Sequence, residues 1–162
     1  MMNSLEFAIN MEHDGEKFYR EQAEINKGNN LNAVFLLLAE DEANHASILQ
    51  NAVKKLSYEL TDNKTISQYN NVFKGSGNVK RAFNEIPNQL DAYKFALEIE
   101  RKSIELYEKL LAESPNDKTK TLFGYLVKQE KDHFKIFDEL ITLVERPEEW
   151  VEDAEFGIRE EY

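Results

Sequence analysis

Displaced by 88 residues, the two helical halves of the chain align without a gap, and the match is poor except where the chemistry would be. Residues 4–53 set against 92–141 share nine identities in fifty. Four of the nine are Glu12 on Glu100, Tyr19 on Tyr107, Glu42 on Glu130 and His45 on His133. Phe35 on Phe123 and Leu38 on Leu126 are two more. Few positions match between the halves, and those that do include every carboxylate and imidazole that could carry chemistry together.

Each half reads as a helical hairpin, because apolar residues recur at spacings of three, four and seven. The first helix is expected over about 4–26, opened by a capping box from Asn3 to Glu6, with a stripe of Leu5, Ala8, Ile9, Glu12, Tyr19 and Ala23. Gly28-Asn29-Asn30 stops the chain and restarts it. The second helix, about 31–57, carries Phe35, Leu38, Glu42, His45, Leu49, Ala52 and Leu56. The third, about 89–113, carries Tyr93, Ala96, Leu97, Glu100, Ile104, Tyr107 and Leu111. Ser114-Pro115-Asn116-Asp117 then reads as an N-cap, a first-turn proline and an acidic third position. The fourth helix, about 116–145, carries Phe123, Leu126, Glu130, His133, Phe137, Leu140 and Val144, and Pro147 ends it. Residues 58–87 are polar, hold Gly75-Ser76-Gly77 and Pro87, and leave room for a short amphipathic helix near 79–86. The expectation is an all-α antiparallel four-helix bundle over residues 1–145, with one long crossover between the second and third helices. That connectivity is ferritin-like, and a short C-terminal tail, 146–162, follows it.

In the second and fourth helices Glu and His stand at i and i+3, on one face, and that face is the apolar stripe. Glu12 and Glu100 also sit mid-stripe. Four carboxylates and two imidazoles therefore converge in a bundle core, where unpaired charge is prohibitively costly. Two divalent cations cancel the four carboxylate charges, and neutral imidazoles complete the coordination. The candidate ligands are Glu12, Glu42, His45, Glu100, Glu130 and His133. One Glu-x-x-His is weak evidence. Two in register, each with a Glu 30 residues upstream, form the pattern of di-iron carboxylate bundles. Tyr19 and Tyr107, seven residues after a candidate Glu on the same face, are expected to hydrogen-bond a ligand carboxylate. His13, rotated about 100° from Glu12, reads as a surface residue, and Glu98 and Glu105 as solvated.

The balance of 31 acidic against 20 basic residues, a net charge of −11, repels phosphate backbones and excludes nucleic acid as a partner. No apolar run is long enough to span a bilayer. The absence of cysteine removes disulfides, thiolate chemistry, zinc ribbons and iron–sulfur clusters together. The start has neither a basic n-region nor an apolar h-region and reads as cytoplasmic. Tyr69, Phe73, Trp150, Phe156 and Tyr162 lie outside the four helices. A homodimer is expected to bury some of Tyr69, Phe73, Trp150 and Phe156.

Glu12 with Phe18-Tyr19, Glu42-x-x-His45, and then Glu100, Tyr107, Glu130 and His133 together resemble the rubrerythrin-type branch of the ferritin-like superfamily. The resemblance covers about residues 4–145, and the tail from Arg146 to Gly157 is similar to that of small members. It implies that Glu42 and Glu130 bridge two metals, Glu12 and Glu100 are terminal ligands, and His45 and His133 each cap one ion. The metals implied are iron, with Mn or Zn as alternatives at a Glu/His site. The activity implied is reduction of hydrogen peroxide or dioxygen. Two departures stand out. Without cysteine there is no rubredoxin-type iron centre, so electrons must come from a separate rubredoxin-like donor protein. The extra carboxylate that such sites carry one turn after the third-helix Glu is here Ser103, and its repeat mate is Gly15. Glu16 is the nearest substitute, but its own mate is Ile104. The competing function is ferroxidase-type iron handling without peroxidase turnover, and behind it a helical module whose site is only structural.

Overall fold

The computed structural model describes residues 3–73 and 87–145. They form five α-helices and no strand: α1 (Ser4–Ile25), α2 (Leu31–Val53), α3 (Thr65–Phe73), α4 (Leu90–Ala112) and α5 (Asp117–Glu145). α1 opens with the expected reciprocal cap. Asn3 Oδ1 accepts from the Glu6 amide at 2.8 Å, and Glu6 Oε2 accepts from the Asn3 amide at 3.4 Å. In the turn to α2, Asn29 Oδ1 accepts from the Leu31 amide at 2.9 Å. α2 stops at Val53, short of the expected end, because Lys55 takes a left-handed backbone with φ 60°. Leu56 consequently leaves the stripe and is exposed. The N-cap of α5 is Asn116 rather than Ser114. Asn116 Oδ1 accepts from the Thr119 amide at 2.9 Å, while the Ser114 hydroxyl donates back to the Leu110 carbonyl at 2.8 Å. On α4 Tyr93, Ala96, Glu100 and Tyr107 are buried as expected and are joined by Ser103 and Leu110, while Leu97, Ile104 and Leu111 are only half-buried.

The apolar core divides into two clusters, and their members give the helix directions. Tyr19, Phe35, Leu38, Tyr93, Ala96, Phe137 and Leu140 belong to one cluster. Ala8, Ile48, Leu49, Tyr107, Leu110, Phe123 and Leu126 belong to the other. Along every long helix the Glu and His residues of the repeat fall between the two. α1 and α5 run from the second cluster to the first, and α2 and α4 run the opposite way. α2 thus ends at one end of the bundle while α4 begins at the other, so the connection between them must run the bundle's length, as in ferritin-like chains. Tyr58 and Leu60 pack on the cluster where α2 ends. Tyr69 and Phe73 of α3 pack into the cluster where α4 begins.

Those last two side chains correct an expectation. Tyr69 and Phe73 are each 1% exposed in the chain's own core, where α3 docks on α2 and α5. They are therefore not available to a second subunit. The polar composition of the crossover hid a nine-residue helix with one apolar face. The helix expected near 79–86, the stop at Pro147, and Trp150, Phe156 and Tyr162 lie outside the described residues. No helix among the described residues is long and apolar enough to cross a membrane.

Candidate metal centre

Four helices each deliver their polar residues to one layer. α1 brings Glu12, α2 brings Glu42 and His45, α4 brings Glu100, and α5 brings Glu130 and His133. All six are buried, none more than 2% exposed. Potential ligand atoms fall into two groups, each within 4.8 Å: Glu12, Glu42, His45 and Glu130 form one, and Glu42, Glu100, Glu130 and His133 form the other. Glu42 and Glu130 belong to both. One carboxylate from α1 or α4 and one imidazole from α2 or α5 distinguish each half.

The histidines are oriented alike. Each presents Nδ1 to the carboxylates and Nε2 outward. His45 Nδ1 lies 2.8 Å from Glu130 Oε1 and 3.4 Å from Glu12 Oε2, with Nε2 3.0 Å from Gln129 Oε1. His133 Nδ1 lies 3.1 Å from Glu42 Oε1 and 3.5 Å from Glu100 Oε1, with Nε2 2.8 Å from Asp41 Oδ2. The two rings stack, centroids 6.1 Å apart. Both phenols reach carboxylates, as expected, but across the bundle. Tyr19 of α1 donates to Glu100 of α4, and Tyr107 of α4 donates to Glu12 of α1, the latter at 2.5 Å.

Crowding sorts the protons. Burial, and then the charges of the other glutamates, push Glu42 and Glu130 well above the ordinary carboxylate range. Burial also raises Glu12 and Glu100, but the histidine beside each, together with neighbouring hydrogen bonds, prevails and holds both below it. For His133 burial favours the neutral ring, yet Glu100 and the Asp41 hydrogen bond carry it well above the usual imidazole value. Tyr19 and Tyr107, raised by burial and by the glutamates facing them, stay protonated donors.

The donor set fits divalent metals. Glu12 Oε2, Glu100 Oε2, both oxygens of Glu130 and His45 Nδ1 are buried without a hydrogen-bond partner. With a proton on Nδ1 the short approach of His45 to Glu130 Oε1 is an ion pair; with that proton gone and Nε2–H facing Gln129, the ring turns a lone pair toward the carboxylate lone pairs. A cation between them makes that contact attractive. Two divalent ions balance the four glutamates, and oxygen with imidazole nitrogen suits Fe, Mn and Zn.

Several residues around the cluster were not singled out by sequence. Asp41 and Gln129, the partners of the two Nε2 atoms, are 7% and 4% exposed and are themselves repeat mates, each one residue before a Glu-x-x-His. Thr65 Oγ1 donates to Asp41 Oδ2 at 2.5 Å, and Asn63 Nδ2 donates to Gln129 Oε1 at 2.6 Å. The crossover thus holds both outer partners. The available signal was register, since Asp41 falls on Gln129 at the same displacement that aligns the ligands. Ser103 is buried beside Met11 and donates to the Ile99 carbonyl at 3.0 Å. Gly15 allows close approach, because a Cβ there would stand 3.2 Å from Glu42 Oε2. Glu16 supplies no seventh ligand; it turns outward to Arg20, 2.8 Å away. His13 is exposed, as expected, and Arg101 takes Glu98 and Glu105 at the surface.

The family model that matches this chain is Rubrerythrin, over residues 3–141. No curated protein and no solved structure matches it.

Proposed function

The chain belongs to the rubrerythrin family, and from that premise we propose that it is a non-haem di-iron protein that reduces hydrogen peroxide or dioxygen. The observation that carries the reading is the pair of four-residue groups sharing Glu42 and Glu130. In this reading Glu42 and Glu130, which belong to both groups, would be shared between the two irons. Glu12 with His45 would complete the holding of one ion, and Glu100 with His133 that of the other. Iron bound there supplies one electron per ion and Lewis acidity toward an oxygen–oxygen bond.

The rest of the work falls to the chain itself. The crossed phenols fix the rotamers of Glu12 and Glu100, so the terminal carboxylates are oriented before any metal arrives. The apolar clusters on either side keep bulk water from the layer and strengthen its electrostatics. Reducing peroxide to two waters takes two electrons and two protons. A chain without cysteine builds no thiolate iron centre, so the electrons are drawn from a separate rubredoxin-like donor protein. The protein acts as a homodimer, and light scattering that gives a mass near the 18.9 kDa of one chain would remove that part of the reading.

The test is anaerobic rapid mixing of ferrous-loaded protein with peroxide or with dioxygen, followed by repeated additions in the presence of reduced rubredoxin. Oxidation of both irons together and sustained peroxide consumption are expected. A single oxidation with deposition of ferric mineral would establish iron handling instead, and no oxidation at all would leave a structural site.

A further inference from the structure

The inner ligands of the two halves are chemically identical, and the residues immediately behind them are not. His133 gives its Nε2–H to a carboxylate, Asp41, whereas His45 gives its own to an amide, Gln129. These two acceptors occupy equivalent places in the repeat and are both buried. Each shares its accepting oxygen with one donor from the crossover, Thr65 for Asp41 and Asn63 for Gln129. The pattern of hydrogen bonds is matched; side-chain length, by one methylene, and charge are not.

We propose that Asp41 and Gln129 are positioning residues that make the centre bind metal unequally, the Glu100–His133 half more tightly than the Glu12–His45 half. The proposal rests on the di-metal reading of the cluster. Its physical basis is that an imidazole hydrogen-bonded to a carboxylate donates more electron density through its other nitrogen than one bonded to a neutral amide. The buried negative charge of Asp41 also attracts a cation in its own half, with little screening by solvent. Changing such an outer partner alters metal affinity by about 10–100-fold. Because Asp and Asn, or Gln and Glu, differ by one terminal group, charge can be exchanged between halves without changing volume. The Gln129 arrangement already demonstrates that an amide oxygen serves an imidazole and a crossover donor together.

The experiment is an anaerobic Co(II) titration of the metal-free full chain, followed by calorimetry and ligand-field absorption, for wild type, Asp41→Asn, Gln129→Glu and the double variant. Wild type should take two Co(II) in steps separated by about 10–100-fold. Asp41→Asn should weaken the first step and Gln129→Glu tighten the second, so that either change narrows the gap. The double variant should reopen the gap with the halves exchanged. Histidine 15N spectra identify the half. The buried imidazole whose signals Asp41→Asn displaces in the metal-free protein should be the one lost first when Co(II) is added to wild type, and lost second in the double variant. A merely structural role for Asp41 would lower metal-free stability without moving the order of filling. One unresolved step, or a separation unchanged across variants that circular dichroism shows to be folded, overturns the proposal. Failure of wild type to bind two Co(II) at all overturns the di-metal reading, and the asymmetry with it.

Discussion

Between α2 and α5 the crossover lies over the carboxylate layer: Asn63 and Thr65 reach Gln129 and Asp41, and Tyr69 and Phe73 fill the core beyond them. Between α1 and α4 no described residue is laid over the same layer. There a groove of about 650 Å³ is lined by Phe7, Met11, Gly15, Phe18, Phe95 and Ile99. Phe7 and Phe95, repeat mates, are 54% and 57% exposed. The two seams serve one cluster by different means. The first supports the imidazoles from outside through a polar network anchored in the crossover. The second supports the terminal carboxylates from inside through two phenols that cross from helix to helix. The difference teaches that a duplicated hairpin delivers a symmetric set of ligands, while the described part of the single connection between the copies covers one side of it.

Removing the metals should have the largest effect, since the cluster joins both seams. Ligands that bind only the folded state stabilise it by roughly 4 kcal/mol per ion at a thousandfold excess over Kd. The loss should grow with pH. Glu42, Glu130 and His133 titrate above their ordinary values in the folded, metal-free chain, so folding takes up protons. Stability contributed by protonated His133 is present below the ordinary imidazole value and lost as pH rises through the folded value; ionising Glu42 and Glu130 acts in the same direction. The depressed Glu12 and Glu100 contribute above the ordinary carboxylate range and lose that contribution only in acid, outside this window. Melting curves with and without chelator should therefore lie farther apart at about pH 8 than at about pH 5.5. Equal separations would refute the coupling.

Paired truncations sharpen the contrast of the seams. Phe73→Ala opens a cavity in the covered seam and should cost about 3–5 kcal/mol in urea unfolding. Phe95→Ala, on the open seam, should stay within about 0.5 kcal/mol. Similar losses would mean that the open seam is covered in solution.

Smaller again are Tyr19→Phe and Tyr107→Phe, which keep each ring and remove one hydrogen bond to a charged group. Each should cost about 1.5–3 kcal/mol, and the two should agree closely, because both phenols are buried donors facing equivalent carboxylates. Denaturant unfolding checks both. A large disparity would break the equivalence of the two halves at the open seam.

A small change in stability is also expected at Gly15→Ala. Alanine gains up to about 1 kcal/mol of helix propensity, offset by a Cβ 3.2 Å from Glu42 Oε2. Net stability should move by less than about 1 kcal/mol, while Co(II) affinity falls because Glu42 must shift. Unchanged affinity would show that Glu42 has room to spare.

The six candidate ligands and the four long helices could be read from the chain because their signals are local and repeated. A period of 3.6 places Glu42 and His45 on one face wherever the helix goes, and the displacement of 88 residues marks the same face twice. The cap at Asn3 is legible for the same reason: it closes within three residues. The α5 cap was misplaced because Ser114 and Asn116 are both good caps, and the choice fell to where the Ser114 hydroxyl found the Leu110 carbonyl. α3 was missed because its buried face is only Thr65, Tyr69 and Phe73 in a polar segment, and packing rather than propensity holds it.

The sequence by itself determined that four acidic and two imidazole side chains would share one buried layer, since helical periodicity and register leave them no other face. Only the tertiary structure decided what stands around that layer. Tyr19 meets Glu100 across 81 residues, His133 meets Asp41 across 92, and Asn63 meets Gln129 across 66. No local period reports contacts at such separations. They exist because antiparallel packing sets helices distant in sequence side by side, and because residues 63–73 of the connection lie against α2 and α5.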